Sequence, residues 1–157
     1  MNTATIQEIK KELVTLKQPD VVNLCLRLAR FKKENKELLT YLLFHASDED
    51  GFVQLIKEEI DEQFREMNQS HLYYAKKSLR KILRMVNKYA RYSSSTETEV
   101  ELRIHFCTKL KHSNIRIHKD KVLVKLYATQ VGKIRKLVGT LHPDLQYDYE
   151  SAVAALE

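Results

Sequence analysis

The stretch SSSTETEVELRIHFCTKLK, residues 93–111, decides the fold because it fits two periods at once. Val100, Leu102, Ile104 and Phe106 alternate at strand period, whereas Val100, Ile104, Cys107 and Leu110 recur at helical spacing. The residues ahead of it favour a helix. Ser94 with Glu97, and Thr96 with Glu99, have capping-box spacing, in which hydroxyl and acid each satisfy an orphan N–H of a first turn. Downstream, NIRIHKDKVLVKLY (114–127) could be read as a hairpin around Lys119 and Asp120, but it lacks the Asn-Gly or Asp-Gly pair that closes a tight hairpin. The reading is a helix over about 97–111, with strand somewhere in 97–126 as the open alternative.

Upstream, YYAKKSLRKILRMVNKYARY (73–92) is strongly amphipathic. At 100° per residue, Leu72, Ala75, Leu79, Ile82, Leu83, Val86 and Ala90 share one face. Lys77, Arg80, Lys81, Arg84, Lys88 and Arg91 fall opposite, with Tyr73 among them and Tyr74 and Tyr92 at the flanks.

The same periodicity predicts helices over 4–17 (Thr3 as N-cap), 21–31 (Asp20 as cap), 35–46 and 49–67. The segment NKELLTYLLFHA is apolar nearly all round, which predicts a central helix. After the decisive stretch come helices over 121–140 and over 143–156, the last with Pro143 at its first position. The expectation is an all-α chain of about eight helices in antiparallel pairs. Helix pairs recur at roughly 35–45 residues, the rhythm of HEAT and armadillo arrays. A HEAT-like α-solenoid and a compact helical bundle both fit.

Composition agrees. Only 3 Gly and 2 Pro interrupt 157 residues, too few for the turns of a compact β fold. Apolar residues at 43% and charged residues at 31% describe a globular chain, one domain of 1–157 by length. The amphipathic start carries acids and no apolar signal core, and no apolar run approaches the ~20 residues that span a bilayer. A cytoplasmic protein is expected, with Cys25 and Cys107 as buried free thiols. The net charge of +6 is uneven: residues 1–70 hold 10 basic and 13 acidic side chains, and residues 71–157 hold 17 and 8. That polarity points to an anionic partner for the second half, or to pairing between the halves.

On LARFKKENKELLTYLLF (28–44) and LHPDLQYDYE (141–150), the chain resembles a group of small bacterial all-helical proteins, which implies a helical fold and no particular activity. TIQEIKKELVTLKQPDVVNLC distantly resembles the SAP helix-extended-helix DNA motif, without the glycine and basic residues usual in its connection.

Candidate chemistry is sparse. Glu34 and Glu37, then Glu58 and Asp61, resemble the carboxylate pattern of all-helical nucleotide pyrophosphatases of the MazG type, where two such pairs would hold Mg²⁺ against a triphosphate. Acids at a helix start and a solvated acidic face give the same spacing without function. His105, Cys107, His112 and His118 form a His/Cys-rich patch. On a helix, however, Cys107 points about 160° from His105, so the two cannot chelate one ion. SDEDG fails as a calcium loop, since the sixth position, where the turn needs glycine, is Val53, although the twelfth is Glu59. No phosphate loop or nucleophile elbow occurs, so the expectation is a chain without catalysis, metal or cofactor.

What remains is basic surface. The residues set apart for anion or nucleic-acid binding are Lys77, Arg80, Lys81, Arg84, Lys88 and Arg91, and, in a second cluster, Lys109, Lys111, Arg116 and Lys121, accompanied by Lys119 and Lys125. Three readings stand open for them: a solvated coat, a protein partner or self-association, and nucleic acid. The function expected first is a non-enzymatic helical-repeat interaction protein, with a nucleic-acid-binding module and a Mg²⁺-dependent nucleotide pyrophosphohydrolase as alternatives. Converging clusters would favour nucleic acid; cations facing the acids of 48–66 would not.

Overall fold

A computed structural model describes residues 2–157 of the chain. Among these it has eight α-helices, one 3-10 turn and no strand: α1 Ile6–Thr15, α2 Gln18–Phe31, α3 Lys33–Phe44, α4 Glu49–Glu66, α5 Leu72–Ser93, α6 Thr96–Lys111, α7 Lys121–Val138 and α8 Pro143–Ala154, with the turn at Ile117–Lys119. The chain is all-α, and the two stretches that could have been strands are helical. The hairpin reading fails because Asp120, at its supposed tip, caps α7 by accepting from the N–H groups of Val122 and Leu123.

Several expected caps shift. Thr5, not Thr3, begins α1 and forms a capping box with Glu8. α2 starts earlier, with Lys17 as N-cap and Pro19 in the first turn, so Asp20 lies inside the helix where the macrodipole favours it. Ser95 caps α6 through the N–H of Thr98, while Ser94 ends α5 in the left-handed region at φ 57°. Asp48 caps α4 through the N–H of Gly51, and a Cβ at Gly51 would stand 2.2 Å from that carboxylate, so a side chain there would displace the cap.

Where length alone reads as one domain, the backbone contacts fall into two compact units, one ending at Phe44 and one spanning His45–Glu157. In the first unit α2 packs on α3, and Asn35 Nδ2 donates to the Leu28 carbonyl at 2.9 Å to fix their corner. Neither α1 nor α2 has a buried residue, and Tyr41 is the one buried side chain of α3. The expectation that α3 is central is therefore overturned: Leu42, Leu43 and Phe44 are exposed, Phe44 at 71%. An apolar circumference permits burial without requiring it. Cys25, expected inside, is exposed for the same reason.

The core lies in the second unit, and its centre is α6. This helix packs against α4, α5 and α7 and buries Val100, Leu102, Phe106, Cys107 and Leu110 at full depth. That is why its apolar residues fit both periods: they spread over an arc of about 200° on a helix packed against three others. α5 adds Leu79, Ile82 and Val86, and α4 adds Ile56, Ile60 and Phe64, whose ring lies 5.8 Å from that of Phe106.

Several ties between alternate helices share one separation. Lys57 pairs with Glu101, and Asp61 lies 2.6 Å from His105, so α4 and α6 run parallel, 44 positions apart at each join. Lys76 with Asp120 links α5 to the head of α7 at that same separation, and Lys111 with the Ala155 carbonyl links α6 to the end of α8. The N-caps of α4, α6 and α8 (residues 48, 95 and 142) are evenly spaced. The second unit is thus a stack of helix hairpins in two rows, α4, α6 and α8 in one and α5 and α7 in the other.

Candidate functional site

The two rows differ in charge. α5 carries seven Lys or Arg and α7 carries five, and neither contains an acid. The α4, α6 and α8 row carries thirteen acids, so the apparent contrast between chain halves is in truth a contrast between rows. The cause is local. Each helix hides its apolar side in the stack and must solvate the other, and the chain solvates one row with cations and the other mainly with anions.

On α5, Lys77, Arg80, Lys81, Arg84, Lys88 and Arg91 lie within an arc of about 100° along about 21 Å of helix. Ala75, Leu79, Ile82, Leu83, Met85, Val86 and Ala90 are buried opposite, which fixes the rotation of the helix and turns the cations outward. Lys77, Arg80, Lys81, Arg84 and Arg91 are exposed, and among the described residues no carboxylate pairs with any of them. Lys88 is half-buried, its ammonium 4.6 Å from the centre of the Tyr89 ring. Tyr73, 68% exposed, meets Tyr74 edge-on at 5.4 Å near the start of the helix. Tyr92 is half-buried against Tyr89 at the other end.

The second cluster divides. Lys109 is held by Asp61 at 2.9 Å, and Lys111 donates to the Ala155 carbonyl at 2.7 Å, so both serve contacts within the fold. Lys109 thus faces an acid of 48–66. Lys121 is exposed in the first turn of α7. Arg116 and Lys119 line a cleft of about 530 Å³ with Gln69, Ser70, Leu72 and Asn114. That cleft adjoins the start of α5, with Lys76 and Asp120 joined at 2.8 Å nearby, so Arg116 and Lys119 extend the basic surface past the head of α5. Lys125, Lys133 and Lys136 are exposed on α7, and Arg135 pairs with Glu157. Lys133, Arg135 and Lys136 lie outside the cations set apart from the sequence. The missing signal was the acid-free run from Lys121 to Val138, hidden in half-chain totals by the acids of α8.

The acids and histidines have structural partners. The Asp61 carboxyl is pushed up by burial, but hydrogen bonds from Lys109 and His105 outweigh this and hold it below the usual carboxylate range. Glu58 accepts from Gln54, and Glu37 lies 3.6 Å from Lys33. His105 faces α4, whereas Cys107 is buried on another side of α6, its thiol pushed by burial to about 12 against an opposing influence from Arg103. His112 bonds back to the Thr108 carbonyl at 2.8 Å. Among the described residues no group of three His, Cys, Asp or Glu side chains is placed to share a metal ion. No helix of the described chain is long and apolar enough to cross a membrane.

One charged group is enclosed. Arg103, 4% exposed, donates to Glu99 at 2.8 Å, to Gln130 at 2.7 Å and to Asn87 at 2.7 Å, so its fork joins α5, α6 and α7. It fixes the relation of the two cationic helices to the helix between them. Comparison with protein-family models, curated proteins and solved structures finds no match to the chain.

Proposed function

We propose that the chain is a non-enzymatic helical-repeat binding protein whose α5–α7 row takes the phosphate backbone of a nucleic acid without reading its sequence. The observation that carries this reading is the acid-free row, with five unpaired exposed cations in one stripe of α5. Stripe cations recur every three or four residues, a rise of about 4.5–6 Å, and can meet successive phosphates of a strand laid along the helix. Tyr73 and Tyr74 at one end offer faces for stacking on unpaired bases. A stripe of Lys and Arg spaced for phosphates gives affinity rather than specificity. A cytoplasmic setting with free thiols, and the absence of any catalytic step or cofactor, belong to the same proposal.

The test is fluorescence anisotropy of labelled single- and double-stranded oligonucleotides at several salt concentrations. Binding that weakens steeply with salt, and that R80E/R84E abolishes, supports the reading. No binding of either probe at low salt sinks it. A protein partner is the second reading, and the exposed apolar residues of the first unit favour it.

A further inference from the structure

The first unit carries a surface that nucleic-acid binding does not use. A cleft of about 590 Å³ runs between α2 and α3, lined by Leu26, Ala29, Leu39, Leu43 and Phe44 along its floor and wall. Arg30, Lys33 and Lys36 line it too, and no carboxylate does. Leu26, Leu43 and Phe44 are exposed, as is neighbouring Phe31 at 77%. Water therefore covers an apolar floor beside three cations. A contiguous apolar surface of this kind on a folded chain marks an interaction site. The charge around it selects the occupant.

We propose that this cleft is a docking groove for an amphipathic helix with acidic flanks, supplied by another protein. Two side-by-side helices leave a furrow that a third helix fills, with apolar side chains at i, i+3, i+4 and i+7 entering the floor. Flanking Glu or Asp residues of that helix would meet Arg30 and Lys36, whose charges no acid in the cleft offsets, beside Lys33, which already lies 3.6 Å from Glu37. A basic or neutral helix would leave Arg30 and Lys36 desolvated and unpaired, which is the penalty that makes the choice specific. A second copy of this chain fits less well, since its acid-rich α4 already buries Phe52, Val53, Ile56, Ile60 and Phe64 in its own core.

The test uses the full chain and three labelled synthetic peptides, each about five helical turns long. One has Leu at i, i+3, i+4 and i+7 with Glu on the flanks, one has Lys for Glu, and one is the Glu peptide scrambled to destroy the apolar face. The Glu peptide is expected to bind at least about tenfold more tightly than either control. L43S should lose that binding, and R30E/K36E should reverse the preference towards the Lys peptide, with circular dichroism showing both variants folded. R80E/R84E should leave peptide binding unchanged, which separates this groove from the α5 stripe and from the nucleic-acid reading. Equal binding of the Glu and Lys peptides overturns the proposal, as does loss through R80E/R84E alone. Sedimentation showing a dimer that L43S dissolves would assign the groove to a second copy and overturn it too. So would binding to phosphatidylserine vesicles, lost in L43S, with no binding of the Glu peptide.

Discussion

Lys76 Nζ stands 2.8 Å from Asp120 Oδ2, while Oδ1 of the same carboxylate accepts the N–H groups of Val122 and Leu123. One side chain thus caps α7 and ties it to α5. No other acid occurs between Glu101 and Asp144, so Asp120 is the single anion within a long basic stretch. The hydrogen bond from Lys76 holds its carboxyl below the usual range, opposed by burial and aided by the two N–H groups. A depressed folded value means that the contribution to stability is fully present above the unfolded value of about 3.9 and is lost as pH falls through the folded one. Urea midpoints measured from neutral pH down into the acid range should fall for the unaltered chain, and D120N should show a shallower fall.

Arg103 should be among the costliest polar side chains to remove. R103M leaves Glu99, Gln130 and Asn87 without the fork that satisfies them, and breaking a buried pair from one side costs about 3–5 kcal/mol. R103K keeps the charge but loses the planar fork, so it should fall between R103M and the unaltered chain. Urea titrations of the three proteins measure this.

Phe106 and Phe44 make a contrast that exposure decides. Phe106 is fully buried, and F106A should cost about 3–5 kcal/mol. Phe44 ends a more apolar stretch of sequence, yet F44S should change stability by no more than about 0.5 kcal/mol. Equal costs in thermal or urea unfolding would contradict the assignment of the core to α6.

The two thiols should separate in reactivity. Cys25 is exposed, while Cys107 is buried with its thiol pushed up to about 12. A thiol reagent at neutral pH should label one cysteine in the native chain and both in denaturant, and C25S should remove the native reaction.

Within the basic surface, the ion pairs predict which cations act on a ligand. Removing Lys77 or Arg84, which have no acidic partner, should lower the salt slope of nucleic-acid binding by about 0.7–0.9 for each phosphate left without its cation. K109A should leave the slope unchanged, because Asp61 already holds that ammonium. Anisotropy titrations over a salt series distinguish the two groups.

The helices were largely legible in the sequence. Periodicity and capping residues set spans within a few positions of those observed, because a helix end is a local hydrogen-bonding problem solved by near neighbours. Which helix lies in the middle was not legible. α3 and α6 both show apolar residues around their circumference, and only packing by α4, α5 and α7 distinguishes α6. The α5 stripe was legible because one helix determines it. That α5 and α7 share a row, while Lys109 turns to Asp61, depends on pairings between residues far apart in sequence, which no local pattern records.

The short sequence separation of the inter-helix ties bears on how the chain is made. Ties across the second unit such as Lys57 to Glu101 and Lys76 to Asp120 span 44 positions, and that from Tyr149 to Glu97 spans 52. Each new helix of that unit therefore meets its partners soon after emerging from the ribosome, and contacts of short sequence separation form quickly. α4 and α5 present a face that α6 completes, and α6 and α7 present one that α8 completes. Growth from the N-terminal side can consolidate stepwise, so the exposed apolar surface at any moment is that of the last helix awaiting its neighbour, not of an entire unfolded domain.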